Sequence, residues 1–325
     1  MKQHTRLPIW LDCDPGHDDM MAIIMASVSP AVELKGISTT HGNQTVEKTY
    51  QNARRTTVLT GIQVPVYKGY SEPLIRQSKA CPEIHGESGL GGVEWYKIDE
   101  MLPHDEQNTI QQFFDHLEKE ITTYYEKTDK KFTIISTGAF TNIAMFVKAK
   151  GLADKIKLVS MAGNFKCIGN IMPWSEFNVL IDPEAGQYLL NQNVHITFIP
   201  LDVTHTVLFT EQIEKRILQI ENKKFGVFIC ALLNFFKETY DKVFQFKYPP
   251  LHDPVAVFFV LFPEAFITED VGMRIECQGE HTYGACCADW FGQLKWEKNS
   301  TVCLKVDVDK FWDHMIKCLE VCKGL

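Results

Sequence analysis

Short apolar runs rich in β-branched residues recur along the chain, and most are followed by a stretch with helical periodicity. The first run is Pro8-Ile9-Trp10-Leu11-Asp12, and a helix is predicted behind it from Asp18 to about Ser27. Val32–Ser38 predicts a second strand, and a helix from near Thr45 to Leu59 has Gly61 as its stop signal. Val64-Pro65-Val66-Tyr67 is a short third strand. The rhythm resumes at Phe132–Ile135 and Ile156–Met161, which flank a helix, and again at Val194–Ile199. Short apolar strands alternating with helices predict an α/β protein with a mostly parallel sheet covered on both faces. The chain closes on an amphipathic helix, Asp309–Val321, with Phe311, Trp312, Met315, Ile316 and Leu319 on its apolar side.

Residues 69–106 and 162–180 break the rhythm with turn residues and polar side chains, and each predicts a long loop over one end of the sheet. No repeat, low-complexity tract or composition shift marks a linker. The expectation is a single domain over residues 1–325.

Composition narrows the classes of function. Of the 325 residues, 45% are hydrophobic and 23% charged, the balance of a protein with a large core. The net charge of −8 argues against nucleic acid or an anionic membrane as a partner, since both demand a basic surface. No signal peptide and no long apolar span is legible, and the ten cysteines show neither CxxC pairs nor metal-finger spacing. The expectation is a cytoplasmic protein with reduced thiols.

The informative cluster is Leu11-Asp12-Cys13-Asp14-Pro15-Gly16-His17-Asp18-Asp19. Asp12 and Asp14 share a face by strand periodicity, Pro15-Gly16 turns the chain, and Asp18 and Asp19 open a helix whose dipole favours acids. Converging carboxylates repel one another unless some are protonated or a cation sits among them. An all-oxygen set suits a hard ion, Ca²⁺ or Mg²⁺. The bland alternative is a helix capped by Asp18 and Asp19 with Asp12 and Asp14 solvated.

Three further segments follow predicted strands or open a helix: Thr40-His41-Gly42-Asn43-Gln44, Ser136-Thr137-Gly138 and Leu251-His252-Asp253-Pro254. Each also has an ordinary explanation. Asn43 suits a helix cap, Gly138 a turn, and Asp253 an N-cap ahead of Pro254. Placed at the carboxyl ends of strands in an open α/β sheet, together they favour a site.

The run DCDPGHDD resembles the signature of the nucleoside hydrolases, in the inosine–uridine-preferring branch. The resemblance spans most of the chain, through His41-Gly42-Asn43-Gln44, Ile84-His85-Gly86-Glu87, Thr137-Gly138-Ala139-Phe140-Thr141-Asn142, Met161-Ala162-Gly163, Glu176-Phe177-Asn178, Asp182-Pro183-Glu184-Ala185, Leu201-Asp202-Val203-Thr204-His205 and His252-Asp253-Pro254. It implies a Rossmann-like domain with long active-site loops, a homo-oligomer (dimer or tetramer), and calcium-dependent hydrolysis of purine or pyrimidine ribonucleosides in nucleoside salvage. It also implies Ca²⁺ ligation by Asp14, Asp19, the Thr137 carbonyl and Asp253. Asp18, Asn43, Asn170, Glu176 and Asn178 then grip the ribose, with Phe177, Phe236 and His85 about the substrate. Asp14 becomes the general base, His252 the acid for the leaving base and Tyr240 its back-up, while His85 sits in a loop able to close over the base. His17, His41 and His205 are read as structural.

Two departures stand out. Ala162-Gly163-Asn164 replaces a run of glycines, and Phe236 stands where relatives carry a tyrosine, removing a polar contact near the base. Two rival readings are a haloacid-dehalogenase-type phosphotransferase, whose loop also begins Asp-x-Asp, and a paralogue that binds nucleoside and Ca²⁺ without catalysis. The first normally has Thr or Val where this chain has Gly16, and the second predicts loss of a metal carboxylate, yet all are present.

Overall fold

The computed structural model describes residues 6–104, 108–322 and 324. Eight strands form the main sheet: β1 (Leu7–Cys13), β2 (Val32–Thr39), β3 (Val66–Lys68), β4 (Phe132–Ser136), β5 (Ile156–Met161), β6 (His195–Ile199), β7 (Phe266–Val271) and a late strand, Ser300–Val306. Between β7 and that late strand, β8 (Met273–Ile275) and β9 (Cys286–Ala288) pair as a separate antiparallel hairpin, which makes Ser300–Val306 β10. The sheet order is β3-β2-β1-β4-β5-β6-β10-β7. Every pairing is parallel except β10 with β7, as the apolar runs predicted.

Strand periodicity builds two cores, one on each face. Ile9, Leu11, Cys13, Ile135, Val159, Met161 and Ile199 enter one, beneath helices His17–Val28, Pro254–Leu261 and Val308–Val321. Trp10, Ile134, Leu158, Ile196 and Phe198 enter the other, against helices Ile110–Thr128, Thr141–Lys150 and Pro183–Asn191. Leaving β1, the chain winds outward through β2 and β3 and then returns to β4 on the other side. The β1/β4 boundary is therefore the topological switch point, where loops leave in opposite directions and open a crevice.

The predicted elements fall where expected, with edges moved by a residue or two. The helix after β2 runs Val46–Thr60 and ends at Gly61, whose φ of 67° suits a residue without a Cβ. The two long loops carry more structure than predicted. Short helices Pro82–His85 and Tyr96–Asp99 lie in the first, and Phe177–Ile181 begins inside the second. These helices are too short for periodicity to announce them. All ten cysteines are free thiols, and among the described residues no helix is long and apolar enough to cross a membrane.

Candidate active site

At the end of β1 the chain turns at Pro15-Gly16, and helix His17–Val28 starts at once. Asp19 is the third residue of that helix. Its carboxylate folds back to accept the N–H of Asp14 at 3.2 Å and of Gly16 at 3.1 Å, satisfying donors that a helix start leaves free. Thr137, from the loop after β4, donates its hydroxyl to the same carboxylate at 2.8 Å. Asn43, from the loop after β2, donates its amide to it at 3.1 Å. Loops from three adjacent strands thus meet on one acid.

Asp14 lies beside it. Its Oδ2 accepts the Asn43 N–H at 2.7 Å, and a Cβ on Gly42 would fall 2.1 Å from that oxygen, so only glycine allows this approach. Asp253 comes from the far end of the chain. It stands at the N-cap of helix Pro254–Leu261, yet its side chain caps no N–H. One carboxylate oxygen from each of Asp18, Asp19 and Asp253 lies within 4.8 Å of the others, and Asp14 Oδ1 and Asp18 Oδ1 are buried without a partner.

Such packing disfavours ionised acids. Burial, and then the charge of Asp19, pushes Asp18 up to about 7 and Asp14 well above the carboxylate range. Burial and the charges of Asp18, Asp19 and Asp14 do the same to Asp253. Asp19 is raised less sharply, because burial is offset by the donors just named. A hard cation among them would remove the repulsion, and the bare oxygens offer it ligands. The acids and their orphaned oxygens fit such an ion. The converging trio contains Asp18 where the resemblance implies Asp14, which turns one oxygen to Asn43 and leaves the other without a partner. Asp12 does not join them. It faces the Trp10 side of the sheet, where Ser38 Oγ at 2.5 Å and Asn142 Nδ2 at 2.7 Å donate to it. The expected convergence of four loop acids fails there, because the turn at Pro15 redirects the chain after Asp14.

One cavity of about 690 Å³, counting its open mouth, adjoins this cluster. Asp18, Asn43, Thr137 and Asp253 line its acidic end, and Asn170, Glu176, Phe177 and Asn178 form one wall. Glu176 is the N-cap of helix Phe177–Ile181. It accepts the N–H groups of Asn178 at 2.8 Å, Gly163 at 2.9 Å and Val179 at 3.2 Å. Burial outweighs these donors and pushes Glu176 up to about 7. Asn178 donates to the Thr137 carbonyl at 2.8 Å and the Met161 carbonyl at 3.0 Å. Asn170 accepts the Phe177 N–H at 2.9 Å. Asp202 pins the start of that loop by accepting the N–H groups of Phe165, Lys166 and Cys167.

The other end is mostly apolar, with Ile84, Phe236, Val243 and Phe244 around His85, Tyr240 and His252. Tyr240 and Phe236 are one turn apart on helix Lys223–Phe244, and their rings meet edge to face at 4.6 Å. Burial drives His252 and His85 well below the ordinary imidazole range and Tyr240 well above the ordinary phenol range.

Every site residue inferred from sequence lines this cavity except Asp14 and Asp19, which lie behind its acidic end. Of the two ordinary readings as helix caps, that of Asn43 fails, since Thr45 is the N-cap of the next helix, while Asp253 does stand at the N-cap ahead of Pro254 but its side chain accepts no helix N–H and joins the acids instead. His85 needs a different description. It ends helix Pro82–His85, is buried, and stacks on Phe236, so it is part of the wall and not of an open loop. His41 stays structural, between Ser78 and Thr141. Sequence reasoning missed Cys81, Glu83, Ile171, Val243 and Phe244 in the lining. The spacing of 236, 240, 243 and 244 marks one helical face and would have revealed the last two.

The chain as a whole is similar to known proteins. Residues 9–313 match the family described as inosine-uridine preferring nucleoside hydrolase. A probable ribonucleoside hydrolase of Dictyostelium discoideum is 37% identical, over 99% of this chain and 97% of its own. The inosine-uridine preferring nucleoside hydrolase of Leishmania major is also 37% identical, over 96% of this chain and 97% of its own. Among solved structures, a purine-preferring ribonucleoside hydrolase from Gardnerella vaginalis superposes with a TM-score of 0.84 at 30% identity, covering 97% of this chain and 99% of that one. The phosphotransferase reading has no support in these matches.

Proposed function

Because the chain belongs to the inosine-uridine preferring nucleoside hydrolase family, we propose that it hydrolyses the N-glycosidic bond of purine and pyrimidine ribonucleosides, with Ca²⁺ as its metal, to give ribose and the free base. The observation that carries this reading is the single cavity joining buried, uncompensated carboxylates at one end to a tyrosine–histidine pair at the other.

The reaction needs a nucleophile, support for positive charge on the sugar, and a proton for the departing base. Asp14, Asp19, Asp253 and the Thr137 carbonyl would hold the ion. A carbonyl has two lone pairs, so its bond to Asn178 leaves Thr137 one to offer. When bound, such an ion lowers the pKa of a water and fixes its position. Asp14 would serve as the general base for the attacking water, through the oxygen that has no protein partner.

Asp18, Asn43, Asn170, Glu176 and Asn178 grip the ribose hydroxyls, each of which donates and accepts. Glu176 keeps a free lone pair on Oε1, which accepts only the Asn178 N–H. Charge developing on the ribose ring is met by Asp18 and Glu176, as carboxylates meet the oxocarbenium-like state of glycosidases. Phe177 and Phe236 supply apolar surface, and His252 with Tyr240 delivers the proton. Initial rates with inosine, guanosine, adenosine, uridine and cytidine, at one enzyme and Ca²⁺ concentration, test the activity and rank the bases. Release of free base from none of the five would overturn it.

A further inference from the structure

A second cavity, of about 760 Å³ counting its open mouth, lies between the loop after β5 and the β8–β9 hairpin. Asn164, Phe165 and Trp174 line it from the loop, and Glu276, Thr282 and Cys286 from the hairpin. It shares no lining residue with the first cavity, yet the two are close. A Cβ on Gly163 would lie 2.9 Å from Cys286 Sγ, and Gly163 donates its N–H to Glu176 at 2.9 Å. The second cavity therefore sits behind the wall that carries Glu176.

Its lining offers acceptors, one charge and aromatic surface. Asn164 belongs to the Ala162-Gly163-Asn164 run that departs from the family's glycines. Its Nδ2 donates to the Cys167 carbonyl at 2.9 Å, and since a carbonyl only accepts, this fixes the amide. Oδ1 is then the free end. The residue is 5% exposed, and this oxygen is buried with no donor to meet it. A buried acceptor left alone is costly, and a ligand N–H would relieve it. Glu276 brings the charge. Its Oε1 accepts the N–H groups of Gln278 at 2.6 Å and Gly279 at 3.0 Å, which hold the carboxyl below its usual range. Among the described residues the lining has no lysine, arginine or histidine to neutralise it. Trp174 is 59% exposed, and with Phe165 it supplies ring faces of the kind that attract cations.

We infer that this second cavity binds a small organic cation with N–H donors, of the guanidinium or alkylammonium class. Glu276 meets its charge, Asn164 Oδ1 accepts one of its N–H groups, and Trp174 and Phe165 cover its face. A metal ion suits the lining poorly, since it would find one carboxylate where a hard ion takes six to eight oxygens. Among the described residues, three ligand side chains converge only in the acidic cluster of the first cavity. A neutral ligand would satisfy Asn164 and leave Glu276 without a counter-charge. The inference goes beyond the function proposed above and does not depend on it.

N-Methylguanidinium and N-methylurea have nearly the same shape and differ in charge, so the pair tests the assignment. Each is titrated into the Ca²⁺-loaded wild-type protein and followed by nitrogen-15 spectra. With N-methylguanidinium the Trp174 indole and the Asn164 and Cys286 amides should shift and saturate. N-Methylurea should bind at least about tenfold more weakly. Glu276→Gln keeps the length of the side chain and removes its charge, and should weaken N-methylguanidinium about tenfold. Trp174→Ala should weaken it about threefold. No saturable shift, equal affinity for N-methylurea, or binding unchanged in both variants would overturn the inference. So would shifts confined to Asp18, Thr137 and Asp253, which would put the cation in the acidic cluster. Should Glu276→Gln fail to fold, the two ligands on the wild type and Trp174→Ala still decide. Failure to hydrolyse any ribonucleoside would sink the proposed activity and leave these titrations standing.

Discussion

The hydroxyl of Tyr240 lies 2.8 Å from Nε2 of His252, and the Thr204 hydroxyl lies 2.7 Å from Nδ1 of the same ring. Both imidazole nitrogens are therefore engaged, and under the proposed function a proton bound for the leaving base would pass through the Tyr240–His252 contact. His252→Ala and Tyr240→Phe should each slow hydrolysis of inosine or uridine, His252→Ala by on the order of 10²–10⁴. The double variant should lose little more than the worse single one, because the two act as a unit. p-Nitrophenyl riboside, whose leaving group needs no proton, should be affected far less by either. Equal losses on both substrate types would mean that the pair orders the cavity and donates nothing.

Asp14→Ala should behave differently, since activation of water is common to every substrate. Nucleosides and p-nitrophenyl riboside should both lose activity, by several orders of magnitude. Retention of the riboside activity would remove Asp14 from the role of base.

The ribose wall makes a second distinction. Glu176, Asn178 and Asn43 are buried or half-buried and hold polar groups toward the cavity. A missing 2′-hydroxyl would leave such groups without a partner, at a cost of roughly 1–3 kcal/mol each. 2′-Deoxyinosine should accordingly be at least about tenfold worse than inosine in kcat/KM. Equal values would misplace the sugar.

Removing the metal should expose the repulsion among Asp14, Asp18, Asp19 and Asp253. A ligand bound only by the folded state stabilises it by about 2.7 kcal/mol at a hundred times its Kd. Chelator should lower Tm and abolish activity, and added Ca²⁺ should restore both. An unchanged Tm, with a stoichiometric transition metal found by metal analysis, would contradict the calcium assignment.

The pH dependence of stability tests Glu176. Burial raises its carboxyl to about 7, against an ordinary 4.5. The folded state therefore keeps a proton that the unfolded chain releases. This contribution is fully present below about 4.5 and is lost as pH rises through about 7. Gln cannot titrate, so the stability difference between wild type and Glu176→Gln should move against the wild type across that window. Denaturant unfolding of both proteins at a series of pH values measures it. A flat difference would show that Glu176 titrates alike in the folded and unfolded chain.

Much of the site was legible because the sheet turns sequence position into place. Asn43 follows β2, Asp14 follows β1, and Thr137 follows β4. In an open parallel sheet all three strand ends face the same crevice, so acids and amides found there in the sequence could be grouped without coordinates. Asp253 and His252 were grouped with them on weaker ground, and their roles came only through the family resemblance. They follow no strand, and local spacing gives them an ordinary reading as the start of a helix.

The sequence by itself determined the alternation of strands and helices, the two-faced core and the acidic turn after β1, since these depend on periodicity and on residues close along the chain. Only the tertiary structure decided how the acids divide. Asp12 and Asp14 are two residues apart, but Ser38 and Asn142 claim the first while Asn43 claims the second. It likewise set the His17 ring against His85 and the Gly91 carbonyl. A histidine's role is set by what each ring nitrogen faces, and His85 and Gly91 lie 68 and 74 residues further along the chain. Pairings over such separations follow from the packing of whole elements, and no local pattern of residues encodes them.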